Sequence, residues 1–136
     1  MTRLELRVDV AAPAEVTWAA GTDWARQGEW MLATRVAVTG GDGRGVGTEL
    51  TAFTGLGPIG FTDTMTVTEW DPPHRCVVRH TGWFVRGTAE FRVVPHGPRS
   101  EFAWAEDVPA LLGLALRPGV RWSLHRFAEF AREYHR

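Results

Sequence analysis

The longest hydrophobic pattern in the chain lies at its end. From Leu112 onward, apolar residues recur at Leu116, Val120, Leu124, Phe127, Ala131 and Tyr134, in steps of three and four that place them along one side of a helix. Arg126, Glu129, Glu133 and Arg136 fall on the other side. The pattern predicts a helix over 109–136 that needs a broad apolar surface to lie against, because each buried Leu, Val or Phe is worth about 1.5–3 kcal/mol. Pro118 either kinks this helix or breaks it, with the main part then starting near Gly119.

The upstream chain supplies such a surface. Leu4, Leu6, Val8 and Val10 alternate with Arg3, Glu5, Arg7 and Asp9, the period of a strand with one wet face. Pro13 opens a short helix with Val16, Ala19 and Ala20 on one side, ended by Gly21 and Asp23. The segment 23–31 is either a second short helix or a loop holding Trp24 and Trp30. Strands are then expected at 35–39, 47–54, 61–70, 75–81, 84–94 and 100–107, separated by turns rich in Gly and Pro such as GGDGRG at 40–45 and PHGP at 95–98. The order predicts a single α+β domain over 1–136: a curved antiparallel sheet of about seven strands wrapped around the long C-terminal helix, with two short helices after the first strand.

Strand parity selects the candidate chemistry. In 61–70, Phe61, Asp63, Met65 and Val67 share the apolar face, and Thr62, Thr64, Thr66 and Thr68 the other. Asp63 is therefore either an acid or base desolvated among apolar neighbours, or a hydrated residue beside the glycine turn. The same logic sends Cys76, Val78 and His80 inward in the next strand, where His80 is a candidate proton carrier or the donor of a structural hydrogen bond. Cys76 reads as inert packing. Val85, Gly87, Ala89, Phe91 and Val93 face in along 84–94, and the small Gly87 and Ala89 leave room. Phe102 and Trp104 carry Glu106 inside with them, to contact a ligand or to form a salt bridge at the rim. Trp30, Met31, Phe53, Trp83, Leu112 and Leu116 are further candidates for the wall or mouth of a cavity. Trp122 falls opposite the apolar stripe and is a candidate homodimer contact.

Composition narrows the classes. A net charge of −1 gives no general basic field, so nucleic acid is a poor partner. The single Cys76 fits a reducing compartment, the alternating N-terminus does not read as a signal peptide, and no apolar run is long enough to span a bilayer. A soluble cytoplasmic protein is expected. Seven Trp residues in a chain of this length suit a binding cavity or an aromatic core. The histidines lack metal-ligand spacing, GGDGRGVG lacks the Lys of a phosphate-binding loop and leads into a strand, and no Ser sits in a nucleophile-elbow pattern, so neither metal nor cofactor is expected.

Several stretches taken in order resemble a known superfamily: VDVAAPAEVTW (8–18), a Trp-containing segment ending in EWM (29–31), VTEWDPPHR (67–75), GTAEFRVVPHG (87–97) and FAWAED (102–107), followed by the long helix. The sequence is similar throughout to the START-like, helix-grip proteins, and within them to the polyketide cyclase/dehydrase and lipid-transport-like group. The resemblance implies a hydrophobic cavity between sheet and helix that takes lipids, polyketides or other apolar molecules. Such a fold hosts several functions. Three remain open: a carrier or sensor of a hydrophobic small molecule, a cyclase or dehydratase in which His80 or Asp63 removes a proton and Glu106 handles the departing oxygen, and a protein-interaction domain without a ligand.

Overall fold

The alternation of apolar and charged residues at the N-terminus produces β1 (Thr2–Val10), whose Leu4 and Val10 are buried. The computed structural model describes residues 2–83 and 85–134. After β1 come α1 (Ala14–Gly21), a 3-10 turn at Trp24–Glu29, and then β2 (Thr34–Gly40), β3 (Glu49–Leu56), β4 (Ile59–Asp71), β5 (Arg75–His80), β6 (Thr88–His96) and β7 (Arg99–Val108). A long helix, α2 (Ala110–Arg132), follows. The strands form one antiparallel, curved sheet in the order β1-β7-β6-β5-β4-β3-β2. Every neighbour in β2 to β7 is therefore a sequential hairpin, and β1 closes the edge beside β7.

Several boundaries differ from the sequence expectation. The β3–β4 hairpin continues to Leu56 and Ile59, leaving Gly57 and Pro58 as the turn. β6 starts at Thr88, later than expected, because Gly87 adopts φ +93, a left-handed conformation that ends the connecting loop. Phe84, the expected first residue of that strand, lies outside the described residues, as do His135 and Arg136 of the expected helix. Pro118 does not break α2, which is continuous from Ala110 to Arg132. In β4 the register slips between Val67 and Glu69 opposite β5. This bulge resets the alternation so that Trp70, opposite the buried Cys76, packs edge-on against Trp18 of α1 with ring centres 5.1 Å apart.

One half of the concave face is closed by aromatic packing. Phe102 stacks on Phe127 of α2 at 4.0 Å, Trp30 meets both rings at 6.2 and 4.8 Å, and Phe91 touches Phe102 at 5.3 Å and Trp24 at 6.1 Å. Gly21 lets α1 approach, since a Cβ there would come within 3.0 Å of the Phe102 ring. Ser100 donates to the Ala12 carbonyl at 2.9 Å, so Thr17 must donate to Ser100 at 2.7 Å, tying α1 to β7 through buried hydroxyls.

The convex face carries ion pairs. Glu90, buried on β6, receives Arg3 of β1 at 2.6 Å and Arg75 of β5 at 2.8 Å, while Arg3 also holds Asp107 at 2.9 Å and Arg92 holds Glu5 at 2.6 Å. Ala103 and Ala105 on β7 leave space for these long side chains to lie across the sheet.

Candidate functional site

Three ionisable residues meet on the other half of the concave face. Asp63 stands on β4, His80 ends β5, and Glu106 is near the end of β7. His80 Nδ1 lies 2.8 Å from Asp63 Oδ2 and 3.0 Å from Oδ1; its Nε2 lies 2.9 Å from Glu106 Oε1. The register explains the first contact, because His80 pairs with Met65 and Asp63 is the next inward residue along β4. The second contact crosses an intervening strand. β5 and β7 are about 9.6 Å apart, and only Ala89 of β6, paired with Val78 and Glu106, and the loop residue Gly87, whose carbonyl accepts from the His80 amide, lie between them there. Small residues there let two long side chains meet above the sheet.

Burial is the largest influence on His80 and pulls its pKa down, but hydrogen bonds from its ring to Asp63 and Glu106, together with their charges, outweigh it and bring the value up to about 9. At neutral pH His80 is an imidazolium that donates from both nitrogens. In that form the ring has no lone pair with which to abstract a proton. Its side chain is 2% exposed, against 11% for Asp63 and 18% for Glu106, so the carboxylates are the members open to a ligand. Glu106 Oε2 accepts no hydrogen bond among the described residues. The imidazole stands between the acids, with its nitrogens pointing opposite ways, so the three do not converge on a point; among the described residues no group is arranged to hold a metal ion.

The apolar surroundings are uneven. Met65 and Trp104 line the concave face beside the cluster and are partly buried, as is Met31. On α2 the inward stripe runs Gly113, Leu116, Val120, Leu124, Phe127 and Ala131, yet Leu112 and Leu116 stay nearly half exposed, at 49 and 43%. The buried member at that end is Gly113, which packs on Thr2 and Val108. Leu112 and Leu116, candidates for the wall or mouth of a cavity, thus stand partly exposed at the start of α2 and outside the packed core. Phe61, on the same face as Asp63, is likewise exposed.

Other expected wall residues are placed differently. Trp30 belongs to the aromatic core, at 2% exposure, and its indole Nε1 has no hydrogen-bond partner among the described residues. Phe53 lies on the convex face, since it pairs with Thr62 while its neighbour Ala52 pairs with the inward Asp63; the Arg35 guanidinium covers its ring at 4.8 Å. Trp83 is exposed in the loop between β5 and β6. Leu32, which the sequence reading missed, straps across to α2: its amide donates to Ser123 Oγ at 3.0 Å and its side chain nears Gly119. Its position directly after the EWM segment was the available signal. Cys76 is buried, and burial aided by the Glu69 charge pushes its thiol up to about 12. The hollow expected over Asp63, His80 and Glu106 is reduced to the small exposed part of the two carboxylates. Two other hollows lie elsewhere, one of about 220 Å³ between β1 and α2 at Leu6, Val8 and Leu124, the other of about 400 Å³ at Trp24, Val38 and Tyr134.

A curved sheet gripping a long C-terminal helix, with a polar cluster on its inner face, defines a helix-grip protein. The chain belongs to the polyketide cyclase / dehydrase and lipid transport family, whose model matches residues 1–133. Among solved structures it is similar to protein CV1439 from Chromobacterium violaceum (16% identity, 97% of this chain and 98% of that one, TM-score 0.76). It is also similar to the Zhui aromatase/cyclase from Streptomyces sp. R1128 (15%, 96% and 93%, 0.73) and to the Aha1 dimer from Colwellia psychrerythraea (14%, 98% and 98%, 0.72). At these identities the likeness concerns the fold alone. No curated protein matches the sequence. No helix among the described residues is long and apolar enough to cross a membrane.

Proposed function

We propose that the chain binds a hydrophobic, ring-containing small molecule in the cleft between the concave face and the first half of α2, as a carrier or sensor. The observation that supports this reading is the pair Leu112 and Leu116, apolar yet nearly half uncovered at the start of α2, on a protein whose inner face carries Met65 and a polar cluster with its buried hydrogen bonds already made. A flat apolar molecule inserted there would cover the leucines and place a polar substituent against Glu106. Native mass spectrometry of freshly purified protein tests it, followed by titration with fatty acids, sterols and aromatic polyketides. A saturable ligand lost on Leu116→Arg is expected; no saturable ligand in any class would sink the reading.

The Asp63–His80–Glu106 arrangement favours a second reading, a cyclase or dehydratase acting on the same ligand. Glu106 would take the proton next to a carbonyl, giving an enolate, and return it to the departing β-hydroxyl, so that a C–O bond breaks, a C=C bond forms and water leaves with Glu106 again a carboxylate. His80 would orient Glu106 through Nε2, and Asp63 would keep His80 charged. Glu106→Gln should then abolish turnover while ligand affinity is retained. Unchanged turnover would remove Glu106 from the reaction.

A further inference from the structure

Three connections leave the same end of the sheet: the β3–β4 turn, the β5–β6 loop and the β7–α2 junction. Each carries large apolar side chains into solvent. Leu56 and Ile59 on the first, Trp83 on the second, and Leu111 and Leu114 on the third are 79 to 92% exposed. At the opposite end, the connections at 41–48, 72–74 and 97–98 are dominated by Gly, Pro and polar residues, and Val46 is their one exposed large apolar side chain. Isolated exposed leucines are ordinary, but their concentration on every tip at one end is not.

The charge at that end is weighted toward cations. Segments 50–62, 81–89 and 108–128 contain no Asp or Glu, although the whole chain carries a net charge of −1. Arg35, Arg79, Arg86 and Arg117 are exposed there. The carboxylates nearby are already committed, Asp63 and Glu106 to His80, and Asp107 to Arg3 and Thr88. Glu29, beside the start of β2, is paired with Arg26, so an acidic surface would meet mainly cations and apolar tips.

We propose that this end of the protein docks reversibly on an anionic lipid surface. Leu56, Ile59, Leu111 and Leu114 enter the interfacial layer, and Arg86 and Arg117 sit against lipid phosphates. Apolar insertion and phosphate contact act together, since neither a few leucines nor a few arginines alone hold a protein at a bilayer. The contact is peripheral and spans nothing. It stands whether or not a small molecule binds at Leu112 and Leu116.

Cosedimentation with vesicles tests the proposal, using phosphatidylcholine alone and phosphatidylcholine mixed with phosphatidylglycerol, at low and high salt. The expected result is pelleting with the mixed vesicles, weakened by salt through screening of the arginines. Leu111→Ser combined with Leu114→Ser should lower partitioning by about tenfold or more, and Arg86→Gln with Arg117→Gln should remove the preference for phosphatidylglycerol. All four positions are exposed, so circular dichroism and melting should match the parent protein. Absence of pelleting on mixed vesicles at low salt, or pelleting that both variant pairs leave unchanged, overturns the proposal. So does a concentration-dependent dimer that the two serine substitutions dissolve, which would assign the patch to a second copy of the chain.

Discussion

The two halves of the concave face are built from the same strands and the same alternation, but they are finished differently. In one, Trp30, Phe91, Phe102 and Phe127 fill the space between sheet and helix. In the other, Asp63, His80 and Glu106 stand inward beside Met65, Trp104 and the small Ala89, and Leu112 and Leu116 at the start of α2 remain nearly half exposed. The closed half holds α2 in place, which frees the open half from packing. On the proposed reading, stability and ligand chemistry fall to separate stretches of one surface.

Core truncation should expose this division most strongly. Phe127→Ala is expected to cost about 3–5 kcal/mol in denaturant unfolding, whereas Leu116→Ala, already half exposed, should cost less than about 1 kcal/mol. Similar losses for the two would erase the distinction. Next in size, His80→Ala leaves two carboxylates on the inner face without their shared cation and should cost about 3 kcal/mol near neutral pH. Because the folded value of about 9 lies above the ordinary 6.5, the His80 contribution is complete below about 6.5 and disappears as pH rises through 9. Unfolding midpoints should fall across that window in the parent protein and change less in His80→Ala.

The smallest effect is expected on the convex face. For Glu90, burial pushes the pKa up, but hydrogen bonds from Arg75 and Arg3 more than reverse it, holding the carboxyl below its ordinary range. Its contribution is present above the ordinary 4.5 and is lost as pH falls through the lower folded value. Since Arg3 and Arg75 are substantially exposed, solvent screens the pairs, and Glu90→Gln should cost about 1 kcal/mol. Acid titration of unfolding should thus report the convex cluster and alkaline titration the concave one; the same window for both would contradict their separation.

Much of this was legible in the sequence because alternation reports which face a residue takes. Asp63, His80 and Glu106 were each placed inward by parity, and the succession of periodic stretches and turn residues predicted the order of elements. Their union was not legible, since it depends on register across four strands and on a gap over β6. The charge of His80 depends on that union. Phe53 misled because its strand has apolar residues on both faces, and only the pairing of Ala52 with Asp63 shows which is inner. Leu112 and Leu116 continue the helical period faithfully, but periodicity gives direction and not whether anything lies opposite.

Ala89 has a consequence out of proportion to its size. It titrates nothing and touches no solvent-facing chemistry, yet the bridge from His80 to Glu106 passes over it. A bulkier neighbour such as Val at that position would act as a wedge, severing one carboxylate from the relay while every acid and base in the molecule stayed in the sequence. The tuning of this cleft can thus drift through a residue that no inventory of reactive groups would include.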